Sequence, residues 1–274
     1  MLTYANGTNR FLDTIRKFSV VLFFIAAFLG ISSKQAHASG YPITFINSPT
    51  WSSNIPSALS GVYSVNFNGT NQYGTASDIG LPAGSSSFTI SWWQKTSIAS
   101  TTDFYAWSYG TSNGKAILGG IYQSKLFGYN ASGVLLTSAA SVNDNAWHNG
   151  ILTYDGTTLK MYLDGTLVTS TSTSLGTLSS GTFRIGSSLI NGTNLWAGSL
   201  TGIRIYDRAL STGDVTTLAG GGNPSATPVR EYDFTEGSGT ALADSGTVPS
   251  GHAATLLNSP TWSSNIPSAL SGVY

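Results

Sequence analysis

The sequence contains no cysteine. That excludes disulfide stapling and zinc–thiolate sites. A domain of about 200 residues buries enough apolar surface to stand without staples, and an exported chain without cysteine fits a bacterium better than an animal extracellular module. Charge is scarce too: 9% of the 274 residues, against about 25% in an average chain, with a net charge of zero. No basic patch is present for nucleic acid and no basic amphipathic helix for a membrane surface. Glutamate occurs only at Glu231 and Glu236, and histidine three times. No histidine pair has metal-ligand spacing, and no EF-hand loop is present. Gly220–Gly222 lacks a preceding strand and a following helix, so it is not a phosphate loop.

What is present is glycine (32 residues), serine and threonine. These suit short strands joined by tight turns. The clearest unit is Trp147–Val168, in which alternating runs flank Asp155-Gly156 and the second ends at Asp164-Gly165. Asp-Gly between alternating apolar residues is a hairpin signal, because such turns need positive φ. Leu152 and Tyr154 share one face, as do Leu159, Met161 and Leu163. Similar strands are predicted over 64–69, 88–95, 103–110, 115–123, 125–130, 133–138, 182–188 and 199–208. In the last, Leu200, Gly202, Arg204 and Tyr206 are expected to oppose Thr201, Ile203 and Ile205. One short helix is expected, with Ser211 as N-cap, Val215 and Leu218 as its apolar face, and Gly220 as its stop.

Arg10, Arg16 and Lys17 precede an apolar run from Val20 to Ile31 and an Ala36-His37-Ala38 site. That is the pattern of a secretory signal peptide, with cleavage expected after Ala38. The run is short of the roughly 20 residues a bilayer span needs; an uncleaved N-terminal anchor is the alternative. A second feature is a repeat: Asn47–Tyr63 recurs unchanged at Asn258–Tyr274, an offset of 258 − 47 = 211 residues. That period is one β-sandwich, too long for a solenoid. It reads as a tandem array holding one module and the start of the next, or as a tail that folds back.

Five words carry a family resemblance: 64–73, 88–97, 146–168, 183–188 and 196–215. A sixth, YDFTEGSGTALADSG, stands at 232–246. In this order they resemble the laminin-G-like modules of the concanavalin A-like lectin/glucanase superfamily, in their bacterial form. The resemblance implies an all-β, two-sheet antiparallel jelly-roll sandwich. The family's first strand is expected before residue 41, yet its only copy is Tyr232–Phe234. The expectation is therefore that 229–236 returns to the open edge of the sandwich, as in a circular permutation. The organisation expected is 1–38 signal, 39–219 sandwich, 220–228 Gly/Pro linker and 229–274 the start of a second repeat.

For function, the expectation is an exported, non-catalytic module of the cell surface or medium. It would bind polysaccharide or glycoprotein, or serve adhesion, beside identical neighbouring modules, with no nucleic-acid partner and no membrane contact beyond the signal segment. Aromatic rings stack on sugars while Ser, Thr and Asn supply hydrogen bonds. Trp93, Tyr105, Trp107 and Tyr109 are the candidate ligand residues, against the alternative that they are core. A glycoside hydrolase using Glu231, Asp233 and Glu236 is the second reading, since retaining hydrolysis wants two carboxyls about 5–5.5 Å apart. A structural spacer in a surface array is the third. No cofactor is required. Calcium stays open, because the family's FDG-type word reads Phe67-Asn68-Gly69 here, with an amide in place of the acid. Gly110–Gly114 fits G-x-S-x-G but bridges two strands, so it reads as a turn.

Overall fold

A computed structural model describes residues 41–247, apart from 78–79, 100, 112–114, 131–132, 176–180, 190–191 and 193. The signal segment (1–38), the second repeat copy (258–274) and residues 112–114 of the Gly110–Gly114 turn lie outside the described residues. The elements, in order, are β1 (Ile43–Ile46), β2 (Thr50–Ser52), β3 (Ser64–Asn68), β4 (Tyr73–Ser77), β5 (Phe88–Lys95), β6 (Asp103–Thr111), β7 (Lys115–Tyr122), β8 (Lys125–Asn130), β9 (Val134–Ser141), β10 (Trp147–Tyr154), β11 (Thr158–Leu163), β12 (Thr166–Ser172), β13 (Thr182–Ile185), β14 (Ala197–Tyr206), α1 (Thr212–Ala219), β15 (Arg230–Tyr232) and β16 (Ala241–Leu242).

The strands form two antiparallel sheets. Sheet I runs β16-β1-β4-β13-β6-β7-β8-β9, and sheet II runs β12-β11-β10-β5-β14-β3-β2, with β15 also on β14. Among the described residues, the expected all-β sandwich with one helix is what the chain forms. Alternation supplies the inward faces: Phe88, Ile90 and Trp92 of β5, Leu152 and Tyr154 of β10, and Leu159 and Met161 of β11 lie in one core with Trp107, Tyr109 and Phe183 of the facing sheet. Aromatic pairs stitch the layers together. Trp92 meets Trp107 edge-on at 5.3 Å, and Phe183 stacks on Tyr232 at 5.9 Å, geometries that add to area burial.

Two β-bulges correct the simple alternation. In β14 the register slips between Thr201 and Arg204. Gly202 there takes φ +55, which glycine adopts without strain. The slip puts Leu200 on the same inward face as Ile203 and Ile205, rather than opposite them. In β6 the register slips between Tyr105 and Trp107. Ala106 and Trp107 then both face the core, while Tyr105 turns to the outer face with Leu118 and Phe127.

Helix α1 starts as expected. Ser211 and Asp214 form a reciprocal capping box, and Val215 and Leu218 bury its apolar side. The helix stops at Gly220, as expected, with φ −81 there, and the next residue, Gly221, takes the left-handed φ of +76. A Cβ on Gly221 would lie 1.8 Å from the Ala58 carbonyl oxygen, so only glycine fits. With Ile151, Tyr162, Tyr206 and Leu210, the helix makes a second small core on the outer face of sheet II.

Segment 229–247 is built into the same sandwich. β15 pairs with β14 through Ile203↔Tyr232 and Arg204↔Glu231, and β16 pairs with β1 through Ile43↔Leu242. Beneath this seam lies a buried ion pair. Arg230 Nη1 sits 2.7 Å from Asp244 Oδ2, with the two side chains 1% and 0% exposed. Asp244 also accepts the backbone N–H groups of Tyr41, Glu231 and Gly246. The Arg230 guanidinium lies 3.8 Å over the Tyr41 ring, and the Tyr232 hydroxyl donates to the Tyr41 carbonyl. Removing one member strands a buried charge. Asp244→Ala is therefore expected to cost about 3–5 kcal/mol of unfolding free energy, read by urea denaturation. Arg230→Met with Asp244→Leu together should cost less than Asp244→Ala alone.

Candidate functional site

The outer face of sheet II is covered at one end by α1 and open at the other. The uncovered end follows from the polar phase of the alternating strands. Thr89, Ser91, Trp93 and Lys95 are the outward residues of β5, and the sequence places the hydrophilic Lys95 at its end. Register then aligns a row across five strands: Trp147 faces Lys95, Lys95 faces Ser199, Ser199 faces Asn66, and Asn66 faces Thr50. With neighbouring strands about 4.8 Å apart, the row spans roughly 19 Å.

This row borders a cleft of about 640 Å³, lined among others by Thr50, Ser52, Asn54, Asn66, Lys95 and Ser199. The loop after β2 closes one side. Asn54 Oδ1 accepts both from the Trp147 indole N–H at 2.8 Å and from the Lys95 ammonium at 3.3 Å. Asn66 Nδ2 donates to Ser199 Oγ at 3.1 Å. The other wall is the Thr96–Ile98 stretch, held by Thr96 Oγ1 on the Ala197 carbonyl and by Asn145 N–H on the Thr96 carbonyl. Among the described residues of this lining, Lys95 is the one that is charged. Amides, hydroxyls and one ammonium form a hydrogen-bonding surface suited to a neutral or anionic polar ligand, and the Trp147 indole meets it through Asn54.

The four aromatic candidates do not form a binding face. Trp107 is 0% and Tyr109 1% exposed, both in the inter-sheet core. Tyr105 (4%) lies outside sheet I, where its hydroxyl donates to Asp103 and burial pushes its pKa up. Trp93 (8%) lies on the outer face of sheet II, beside Leu59 and Gly202. The β6 bulge separates Tyr105 from Trp107, and burial keeps all four from solvent. The residue that strand phase did point to, and that sequence reading passed over, is Trp147. It lies at the start of the best-marked hairpin and on the same outward phase as Asn149 and Ile151.

Of the three carboxylates of 231–236, Glu231 and Asp233 gather on Arg204 and on the Ser245 hydroxyl, and Glu236 is engaged elsewhere. Glu231 lies 2.9 Å from Arg204, and Asp233 lies 3.8 Å from it. Phe234 takes φ +58 and turns the chain away. Glu236 then accepts the Ala243 N–H at 2.6 Å. Burial raises its pKa, partly opposed by that hydrogen bond. Neither glutamate lines the cleft.

The Phe67-Asn68-Gly69 loop is closed by its own amides. Asn68 Oδ1 accepts the Thr70 and Asn71 N–H groups, and Gln72 Nε2 donates to the carbonyls of Asn47 and Ser48. The Asn68 side-chain oxygen is thus already engaged by two backbone donors. Among the described residues no group of three His, Asp or Glu side chains gathers to hold a metal.

His148, next to Trp147, packs between two acids. Its Nδ1 is 2.9 Å from Asp164 and its Nε2 3.2 Å from Asp144. Carboxylates only accept, so the doubly protonated imidazolium is the form that satisfies both. The Asp164 hydrogen bond, opposed by burial, raises the His148 pKa above 6.5. Asp144 is held low first by the Ala146 N–H.

A family model described as the concanavalin A-like lectin/glucanase superfamily, in its laminin-G branch, matches residues 68–216. No curated protein matches the sequence. Among solved structures, the chain is similar to the binding domain of botulinum neurotoxin serotype G, at 16% identity and a TM-score of 0.52, covering 68% of this chain and 47% of that one. It is similar to the type C neurotoxin, whose cell entry depends on interaction with two ganglioside molecules, at 13% identity and a TM-score of 0.50, covering 66% and 46%. It is also similar to domain 4 of an extracellular arabinanase from Geobacillus stearothermophilus in complex with arabinotriose, at 16% identity and a TM-score of 0.48, covering 65% and 87%. The chain thus spans about half the length of the toxin structures. The two toxin likenesses show the fold.

The His148 clamp has a signed pH dependence. A raised folded-state pKa gives stability that is complete below the unfolded value near 6.5 and is lost as pH rises through the raised value. The loss of unfolding free energy in His148→Gln is expected to be larger at pH 5.5 than at pH 8.5, measured by denaturant titration at each pH.

Proposed function

The chain belongs to the concanavalin A-like lectin/glucanase superfamily, and on that premise we propose that its sandwich is a non-catalytic module that binds carbohydrate in the cleft of sheet II. The observation that carries this reading is the cross-strand row Trp147–Lys95–Ser199–Asn66 with Asn54 above it. Strands fix these side chains, so little ordering entropy is left to lose on binding. The indole offers an apolar face to a sugar ring, and the amides and hydroxyls meet its hydroxyl groups. Lys95 is the one charge among the described lining residues, so a sugar bearing a carboxylate is favoured over one bearing an amine. The ganglioside interaction of the type C neurotoxin supports a glycan as the ligand class.

The remaining parts of the reading follow from the sequence. Residues 1–38 direct export, and the module is displayed outside the cell, repeated in a longer chain. The carboxylates at Glu231 and Asp233 serve as counter-ions to Arg204 rather than as a catalytic pair. Calcium is not needed, because loop 67–72 holds itself through amides.

A glycan array probed with the full chain, followed by titration calorimetry on the hits, tests this. Trp147→Ala and Lys95→Ala are each expected to weaken binding by about tenfold or more, roughly 1.4 kcal/mol, with Tm nearly unchanged. Tyr105→Phe, Glu231→Gln and Glu236→Gln should bind as the parent does, and EDTA should leave the affinity alone. Full affinity in the cleft variants would refute the site, and new reducing ends released from a β-glucan would refute the non-catalytic reading.

A further inference from the structure

The loop that joins β9 to β10, residues 142–146, does two things at the cleft. Asn145 stands in the lining, with Thr96, Ser97 and Ile98. The loop also holds that stretch in place. Asn145 N–H donates to the Thr96 carbonyl at 3.0 Å, and Asn143 Nδ2 donates to the Ile98 carbonyl at 3.1 Å. The Thr96–Ile98 wall therefore stands where the loop puts it.

The loop in turn is fastened at its two ends. Val142 N–H donates to the Ser124 carbonyl at 2.8 Å. Asn145 takes φ +64, a left-handed conformation that its surroundings must hold. Beside it, Asp144 Oδ1 accepts the Ala146 N–H at 2.9 Å and faces His148 Nε2 at 3.2 Å. The other ring nitrogen, Nδ1, lies 2.9 Å from Asp164 Oδ2. Asp164 is itself fixed to β10: its Oδ1 accepts the Asn149 N–H at 2.7 Å, and its N–H donates to the Asn149 carbonyl at 2.9 Å. His148 thus bridges an anchored acid to the acid of the cleft loop.

The two contacts are not equivalent once the ring loses a proton. A neutral imidazole carries one N–H, and both acids only accept. The remaining proton stays with Asp164, the shorter contact and the less exposed acid, at 48% against 56% for Asp144. Nε2 then turns a lone pair on Asp144 Oδ1, and attraction becomes repulsion. The contact that opens is the one on the cleft loop. Across β5, the residue opposite His148 is the neutral Gln94, and Lys95 stands opposite Trp147. Among the described residues, Asp144 and Asp164 are the charged groups that face the ring.

We propose that His148 is a positioning residue of the cleft: its imidazolium holds loop 142–146 and, through Asn143 and Asn145, the Thr96–Ile98 wall, so that glycan binds most tightly when the ring is doubly protonated. The inference rests on the reading of the cleft as a glycan site and adds how that site is regulated. Binding and protonation are then coupled, each strengthening the other. Because the Asp164 hydrogen bond raises the His148 pKa above 6.5, the bridge is closed below the raised value and opens as pH rises through it. The module grips at mildly acid pH and loosens at alkaline pH.

Amide hydrogen exchange on the full chain, without ligand, tests the bridge. His148→Gln is compared with the parent at the same pH, which cancels the intrinsic pH dependence of exchange. The Asn145 amide is expected to exchange about fivefold faster in the variant at pH 5.5, and at the parent's rate at pH 8.5. Equal acceleration at both pH values would make His148 a structural residue only and overturn the proposal, as would no acceleration at either. Calorimetry with trigalacturonate, a sugar ionised throughout this range, tests the consequence for binding. The parent should bind about fivefold or more tightly at pH 5.5 than at pH 8.5, and Asp144→Ala should bind at the parent's alkaline level at both. A parent affinity equal at the two pH values overturns the proposal. Trigalacturonate that binds at neither pH counts against the glycan reading, and the exchange result then decides the bridge by itself.

Discussion

The sandwich depends on one buried ion pair that ties together two distant parts of the sequence. Arg230 and Asp244 lie out of solvent beneath the seam where β1, β14, β15 and β16 meet. Such a pair is tolerated only when its remaining lone pairs and protons are met. Here Asp244 takes three backbone N–H groups besides the guanidinium, one of them from Tyr41. Charge neutralisation and backbone pairing therefore act at the same point. The consequence reaches the core: Tyr232 is held where it stacks on Phe183 of the opposite sheet, and Phe234 where it meets Trp51.

That closure frees the outer face of sheet II for other uses. Its two ends are treated differently, because the residues after β14 form a helix and those after β2 form a loop. Helix α1 buries Ile151, Tyr162 and Tyr206 at one end. At the other, Asn54 leans over Lys95 and Trp147 without covering them. The cleft is thus the part of the sheet that no apolar cover reaches. Its rigidity comes from the strands, and its polarity from the outward phase of β3, β5 and β14. The neighbouring His148 clamp ties the turn at Asp164 to the loop at Asp144, bracing the strand that carries Trp147.

Much of the architecture is legible in local pattern. Period-two alternation and Asp-Gly turns mark the hairpin of β10 and β11, and the Ser211–Asp214 box marks α1. These signals are readable because the interactions behind them span only a few residues. The bulges at Ala106 and Gly202 are not readable in that way. Each depends on how a neighbouring strand is paired, and each reverses the phase of every residue beyond it. That is why Trp107 was grouped with Tyr105 by alternation and yet lies on the opposite side of sheet I.

The sequence alone determined the class of fold and the helix at 212–219, because hydrophobic period and turn chemistry are properties of neighbouring residues. It also supplied the repeat, which is a matter of identity rather than of shape. Only the tertiary structure decided which polar residues share a surface. Trp147, Lys95, Ser199 and Asn66 come from four strands far apart in the chain, and register across the sheet, not spacing along it, brings them into one row.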